Sequence, residues 1–162
     1  MNSAKQSVFL SLLFTGWILA VAAPPSAQVG RQQGMIEPNV ADEKELMKLP
    51  HLNPDLVKGI VERRPFANMM ELNKFLSQSL DAKQRGELYT KMFIQLNLNT
   101  ATREALVLIP GMGNCMAREF LEYRPYTAIA QFLKAIGKYV AYKERARVVQ
   151  NVFMSIDVTS AS

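Results

Sequence analysis

Pro110-Gly111-Met112-Gly113 is the segment with the clearest chemical potential, because a run of helix-forming residues follows it directly. The first N–H groups of a helix lack internal partners, and the aligned peptide dipoles make that end partly positive. Glycines just ahead of it let the backbone approach an anion closely and adopt φ > 0. The amides of Gly111, Met112, Gly113 and Asn114, which follow Pro110 in the same candidate site, are therefore expected to hold a phosphate oxygen. Arg118, one turn into the helix, and Lys138, beside Gly137 in a second glycine turn, are placed to hold neighbouring phosphates. Such contacts carry no base information, so binding would be sequence-independent and salt-sensitive. The plainer alternative is a tight helix–helix turn that needs glycine only for steric reasons.

Enzymatic chemistry finds no support in the residue types. No nucleophile has an adjacent base, and Cys115 has no histidine in its half of the chain. His51 is the only histidine and reads as a solvated loop residue, so neither a metal nor a cofactor is expected. Arg118 and Glu122 are spaced as an i, i+4 surface ion pair. Cys115 is also the only cysteine, which rules out an internal disulfide and leaves stability to packing. A small apolar residue in the core is its expected role, with a reactive or intermolecular thiol as the alternative.

These residues lie in the second of two copies. Sliding the chain by sixty positions aligns 36–95 with 96–155 without a gap, and eleven positions are identical, among them Asn39/Asn99, Pro50/Pro110, Arg64/Arg124 and Arg85/Arg145. A repeat of this length sets the architecture. It also supplies an internal control, since residues kept in both copies are expected to be structural. The first copy departs at the hairpin: His51-Leu52-Asn53 replaces Gly111-Met112-Gly113, Pro54 removes an N–H, and Asp55 would repel phosphate. Charge follows the same division. Residues 36–95 carry nine Lys+Arg and nine Asp+Glu, whereas 96–155 carry eight and four, so most of the net charge of +5 lies in the second copy. An excess of that sign favours an anionic partner.

Local patterns predict an all-α fold of two tandem units, each a pair of helical hairpins. Asp42 and Glu45 form a capping-box pattern, and Thr102 takes the same cap position. A first helix is expected to stop at Pro50 or Pro110. Leu56, Val57, Ile60 and Val61, matched by Met116, Ala117, Phe120 and Leu121, have helical spacing. Arg64-Pro65 and Arg124-Pro125 should end that second helix, and Arg64 and Arg124 should serve a helix end. Phe66 or Tyr126 then docks on the core. Met69, Leu72 and Leu76, with Ile129, Phe132 and Ile136, predict a third helix, and a fourth follows near 82–91 or 142–151. Met92–Ile94 and Val152–Met154 read as short extended closures. A composition of 49 % hydrophobic and 20 % charged residues can bury a core and argues against disorder.

The stretch from Leu96-Asn97-Leu98-Asn99-Thr100-Ala101 through Ile109-Pro110-Gly111-Met112-Gly113 to Tyr123-Arg124 resembles the helix-hairpin-helix proteins. It is most similar to exported ComEA-like competence DNA receptors, which share an N-x-N-T-A opening, an L-P-G-I-G hairpin and an I-x-x-Y-R exit. Ala135-Ile136-Gly137-Lys138 weakly echoes their second hairpin. The resemblance covers 96–155 and, in degenerate form, 36–95. It implies a non-enzymatic protein that binds double-stranded DNA through its phosphate backbone. An extrinsic photosystem II subunit of the same family in the thylakoid lumen illustrates the alternative, an exported scaffold binding a protein partner through 36–95. Met69, Met70 and Tyr89 are the residues whose exposure would favour that alternative.

The amino terminus predicts export. Lys5 precedes an apolar stretch from Val8 to Ala23, and Ala20-Val21-Ala22 fits a signal cleavage site. Residues 1–27 read as a signal peptide or an uncleaved anchor, 28–35 as a flexible lead-in and 156–162 as a tail. The periplasm or cell surface, or a lumenal equivalent, is the expected compartment. Contact with a membrane is expected only if the amino-terminal segment remains uncleaved.

Overall fold

The computed structural model describes residues 28–29 and 34–154. The signal or anchor segment 1–27 and the tail 156–162 lie outside the described residues. The described chain is mostly helical, with eight helices in two sets of four. The first set comprises α1 (Glu43–Leu46), α2 (Pro54–Glu62), α3 (Met69–Leu76) and α4 (Ala82–Tyr89). The second comprises α5 (Arg103–Leu106), α6 (Asn114–Glu122), α7 (Ile129–Ile136) and α8 (Tyr142–Gln150), each beginning sixty residues after its counterpart. Among the described residues no helix is long and apolar enough to cross a membrane.

The predicted caps are present. Asp42 and Glu45 close a reciprocal capping box on α1, and the Thr102 hydroxyl accepts from the Ala105 amide at 3.2 Å. Regular helix, however, ends at Leu46 and Leu106, earlier than the prolines. It gives way to tighter i to i−3 bonds, Leu49 N–H to Leu46 and Ile109 N–H to Leu106, each 3.0 Å. Pro50 and Pro110 halt those turns. Helices α2 and α6 stop ahead of Arg64-Pro65 and Arg124-Pro125, and both of these peptide bonds are cis.

Three short strands complete the fold: β1 (Gln28–Val29), β2 (Leu96–Asn97) and β3 (Val152–Met154). Strand β3 is central, antiparallel to β1 and parallel to β2. The closure expected at 152–154 is thus a strand. Gln28–Val29, expected within a flexible lead-in, are paired through their backbone. In the first set the same closure is a single bridge between Ile36 and Met92.

Residues kept in both copies do structural work. The Asn39 side chain accepts from the Phe66 amide at 2.8 Å and donates to the Phe66 carbonyl at 3.0 Å. Asn99 repeats this on Tyr126 at 2.8 and 2.9 Å. Arg64 and Arg124 donate to the Ala41 and Ala101 carbonyls at 2.7 and 2.6 Å. They therefore tie down the turns before α1 and α5, whereas a helix-end role was expected. Phe66 and Tyr126 are buried as predicted. Phe120, Tyr126 and Phe132 pack with ring centres 5.1 to 5.9 Å apart, within the range favoured by tilted and edge-on aromatic pairs. Burial pushes the Tyr126 hydroxyl up to about 12, and it donates to the Phe120 carbonyl at 2.9 Å.

Replacing Asn99 with Ala leaves the Tyr126 N–H and C=O without their partner. A loss of about 2 kcal/mol is expected in denaturant unfolding, the cost of stranding partly buried backbone groups. The helical circular dichroism of the folded variant should be retained.

Candidate anion-binding hairpin

The turn between α5 and α6 divides the predicted site residues by role. Gly111 has φ +82°, the left-handed conformation for which glycine was invoked, whereas Gly113 has an ordinary φ of −76° as the cap residue of α6. Met112 differs from expectation. Its amide donates to the Ile109 carbonyl at 2.9 Å and its side chain is buried, so it closes the turn and has no N–H left for an anion. The amides of Gly113, Asn114, Cys115 and Met116 have no acceptor among the described residues, and no side chain caps α6. Of the four donors predicted, only the Met112 amide is taken; that of Gly111 also has no acceptor among the described residues, and Cys115 and Met116 extend the set. Cys115 is exposed at the second position of α6, which corrects its assignment to the core.

The first copy shows the same end closed. His51 occupies the left-handed position, with φ +65°. Asn53 caps α2 by accepting from the Leu56 amide at 2.8 Å, and Pro54 has no N–H to offer. A side-chain oxygen therefore already occupies the place an anion would take. Where the second copy has Gly113, that oxygen is missing.

Sequence reasoning missed a neighbour from the fourth helix. In the first copy His51 Nε2 meets Glu87 Oε2 at 2.7 Å. The equivalent of Glu87 is Arg147, whose Nη1 donates to the Pro110 carbonyl at 2.6 Å. A Cβ placed on Gly111 would lie 2.7 Å from Arg147 Nη2, so glycine here also admits the guanidinium. The charge beside the hairpin is reversed between copies. The sixty-residue offset contains this signal, but only if differences are read as closely as identities.

Of the remaining predicted residues, Arg118 lies one turn into α6, whereas Gly137 and Lys138 lie towards the other end of that helix. Arg118 is exposed and shares its charge with Glu119 at 3.8 Å and Glu122 at 3.6 Å, the latter being the anticipated i, i+4 pair. Lys138 donates to the Tyr123 hydroxyl at 2.9 Å, at the opposite end of α6 from Gly113. That bond, more than any other contact, raises the affinity of Lys138 for its proton. Gly137 ends α7, and the Arg145 guanidinium reaches over it to the carbonyls of Gly137 and Val140 at 3.0 and 3.1 Å. Arg85 does the corresponding work at Leu80. The second glycine turn is accordingly held by an arginine present in both copies.

The two hairpin glycines should behave differently. Gly111→Ala is expected to cost about 1–2 kcal/mol, from the left-handed backbone and the displaced Arg147. Gly113→Ser has open space around its Cβ and should shift stability by only about a few tenths of a kcal/mol. Thermal unfolding of the two variants compares them directly. No protein-family model, curated protein or solved structure matches this chain.

Proposed function

We propose that this chain is an exported, non-enzymatic DNA-binding protein built from two helix-hairpin-helix units, gripping duplex DNA non-specifically through its phosphates. The reading extends the resemblance to ComEA-like receptors, which act in DNA uptake. It is carried by the difference between the two α2-type helix starts. In one copy Asn53 and Pro54 close that start, while in the other the amides from Gly113 to Met116 are uncapped behind a left-handed Gly111. Backbone donors with the helix dipole behind them suit a phosphate oxygen. The cation Arg147 beside the turn and the basic excess of 96–155 act in the same direction.

A second reading, a scaffold that binds protein through 36–95, draws on exposed apolar side chains in the first copy. Met69 and Tyr89 do not supply them, because both are buried. Val40, Met47 and Met70 do, with Val40 79 % exposed where the second copy has Thr100.

Titrating the folded protein with unspecific duplex DNA at several salt concentrations tests the primary reading. The logarithm of affinity should fall linearly with that of salt, and Arg118→Ala should reduce the slope by about one. Gly113→Asp should fold normally and lose affinity for all sequences alike, since its carboxylate would cap α6 from within. Folded wild-type protein that ignores duplex at low salt would leave the scaffold as the better reading. Export is tested by fractionation, with the protein expected outside the cytoplasm; full-length chain in the cytosol would defeat that part.

A further inference from the structure

A groove of about 320 Å³ lies along α7, lined by Tyr123, Pro125, Tyr126, Gln131, Lys134, Ala135 and Lys138. The first copy has the same groove, of about 360 Å³, lined by Arg63, Phe66, Glu71, Lys74, Phe75 and Gln78. Lys74 and Lys134 are equivalent, and the positions around them gain one positive charge in net, two changes adding a charge and one removing it. Glu71 becomes Gln131, Gln78 becomes Lys138, and Arg63 becomes Tyr123. The loss of the carboxylate is not a structural need. Glu71 accepts from the Ala67 amide at 2.7 Å, and Gln131 Oε1 accepts from the Thr127 amide at 2.8 Å, so glutamine does the same local work without the charge.

The aromatic surface has also been rearranged. In the first copy the Arg63 guanidinium covers Phe75, 4.8 Å from the ring centre. In the second, the ring belongs to Tyr123, which is 44 % exposed. Lys138 Nζ lies 2.9 Å from the Tyr123 oxygen but 5.3 Å from the ring centre, off the oxygen edge and not over the face. Lys134 makes no ion pair or hydrogen bond among the described residues. The Glu119 carboxylate, which acts on Lys138, is not part of the lining and has Arg118 at 3.8 Å.

We propose that this groove takes one unpaired nucleotide of a DNA strand, its base against the Tyr123 ring and its phosphate on Lys134 and Lys138. The inference rests on the DNA-binding reading and adds a preference for duplexes with frayed or single-stranded ends. A nucleotide joins a flat π surface and an anion in one unit, which matches an open ring beside two ammonium groups. An acidic peptide spreads those features over separate residues. Stacking on an aromatic side chain tolerates every base, so the preference is one of strandedness and not of sequence.

Fluorescence anisotropy on the full chain compares a blunt duplex with the same duplex carrying a short thymidine overhang. The overhang is expected to tighten binding about tenfold. Tyr123→Leu and Lys134→Gln should remove that advantage with blunt-duplex affinity unchanged, and Tyr123→Phe should keep it; circular dichroism monitors folding. Equal binding of both probes by wild type overturns this inference and leaves the hairpin reading intact. An advantage that survives Tyr123→Leu overturns it too. Overhang binding without blunt-duplex binding supports the groove and overturns the hairpin, while no binding to either overturns both. Tyr123-dependent binding of a glutamate- and tyrosine-containing peptide, without any overhang effect, assigns the groove to protein instead.

Discussion

Everything in this fold depends on one asparagine side chain per copy that behaves like a piece of backbone. Asn39 and Asn99 each offer an acceptor and a donor to a residue twenty-seven positions on, where the chain leaves the second helix. That pair of bonds closes a loop containing the first helix, the hairpin and the second helix. Arg64 and Arg124 fasten the same neck two residues further in, to the carbonyls of Ala41 and Ala101 before the first helix. The four-residue helices α1 and α5 are too short to hold themselves, since helix nucleation is costly and propagation over one turn returns little. They persist because both ends of the loop around them are pinned. The hairpin inherits its position from that frame, which is why its residues are free to vary.

The two copies use that freedom in opposite ways. Asn53 satisfies a helix start internally, and His51 with Glu87 braces the turn from the fourth helix. Gly113 leaves the start unsatisfied, and Arg147 braces the turn with the opposite charge. The energetic difference between a glycine and an asparagine cap is small, about a few tenths of a kcal/mol. Keeping donors open therefore costs the fold little, and a chain with one closed copy retains its stability while the other keeps its helix start open. The same logic runs along α7, where Gln131 retains a cap and discards a charge.

Helix starts, caps and apolar faces were legible in the sequence because each has a local signature. Asp42, Thr102 and the spacing of Leu56 to Val61 were enough to place them. What escaped reading was set by geometry between elements. Met112 looked like one of four equal amide donors, but the tightness of the turn commits its N–H to Ile109. Cys115 looked apolar and sits on the outer face of α6, because Met116, Ala117 and Phe120 take the inner one. Met69 and Met70 are adjacent in sequence, yet the first is buried and the second exposed, a matter of helical phase. Arg147 is thirty-seven positions from Pro110, and only the packing of α8 brings it there. The closure at Val152–Met154 was legible, but the two-residue strands β1 and β2 carry too little alternation to be recognised.

Strand β3 has a consequence for how many copies such a chain can hold. Its two edges are filled, by β2 from the start of the second copy and by β1 from the segment preceding the first. In the first copy the equivalent closure bridges only to Ile36, and the chain runs on from it into β2. An array of repeats grows when its last unit presents an unsatisfied edge, and terminal caps stop it by covering that edge. Here the cap is borrowed from the opposite end of the chain. The pair is sealed into a ring of contacts, a closed dimer of repeats within one polypeptide, where a simple tandem would have remained extendable.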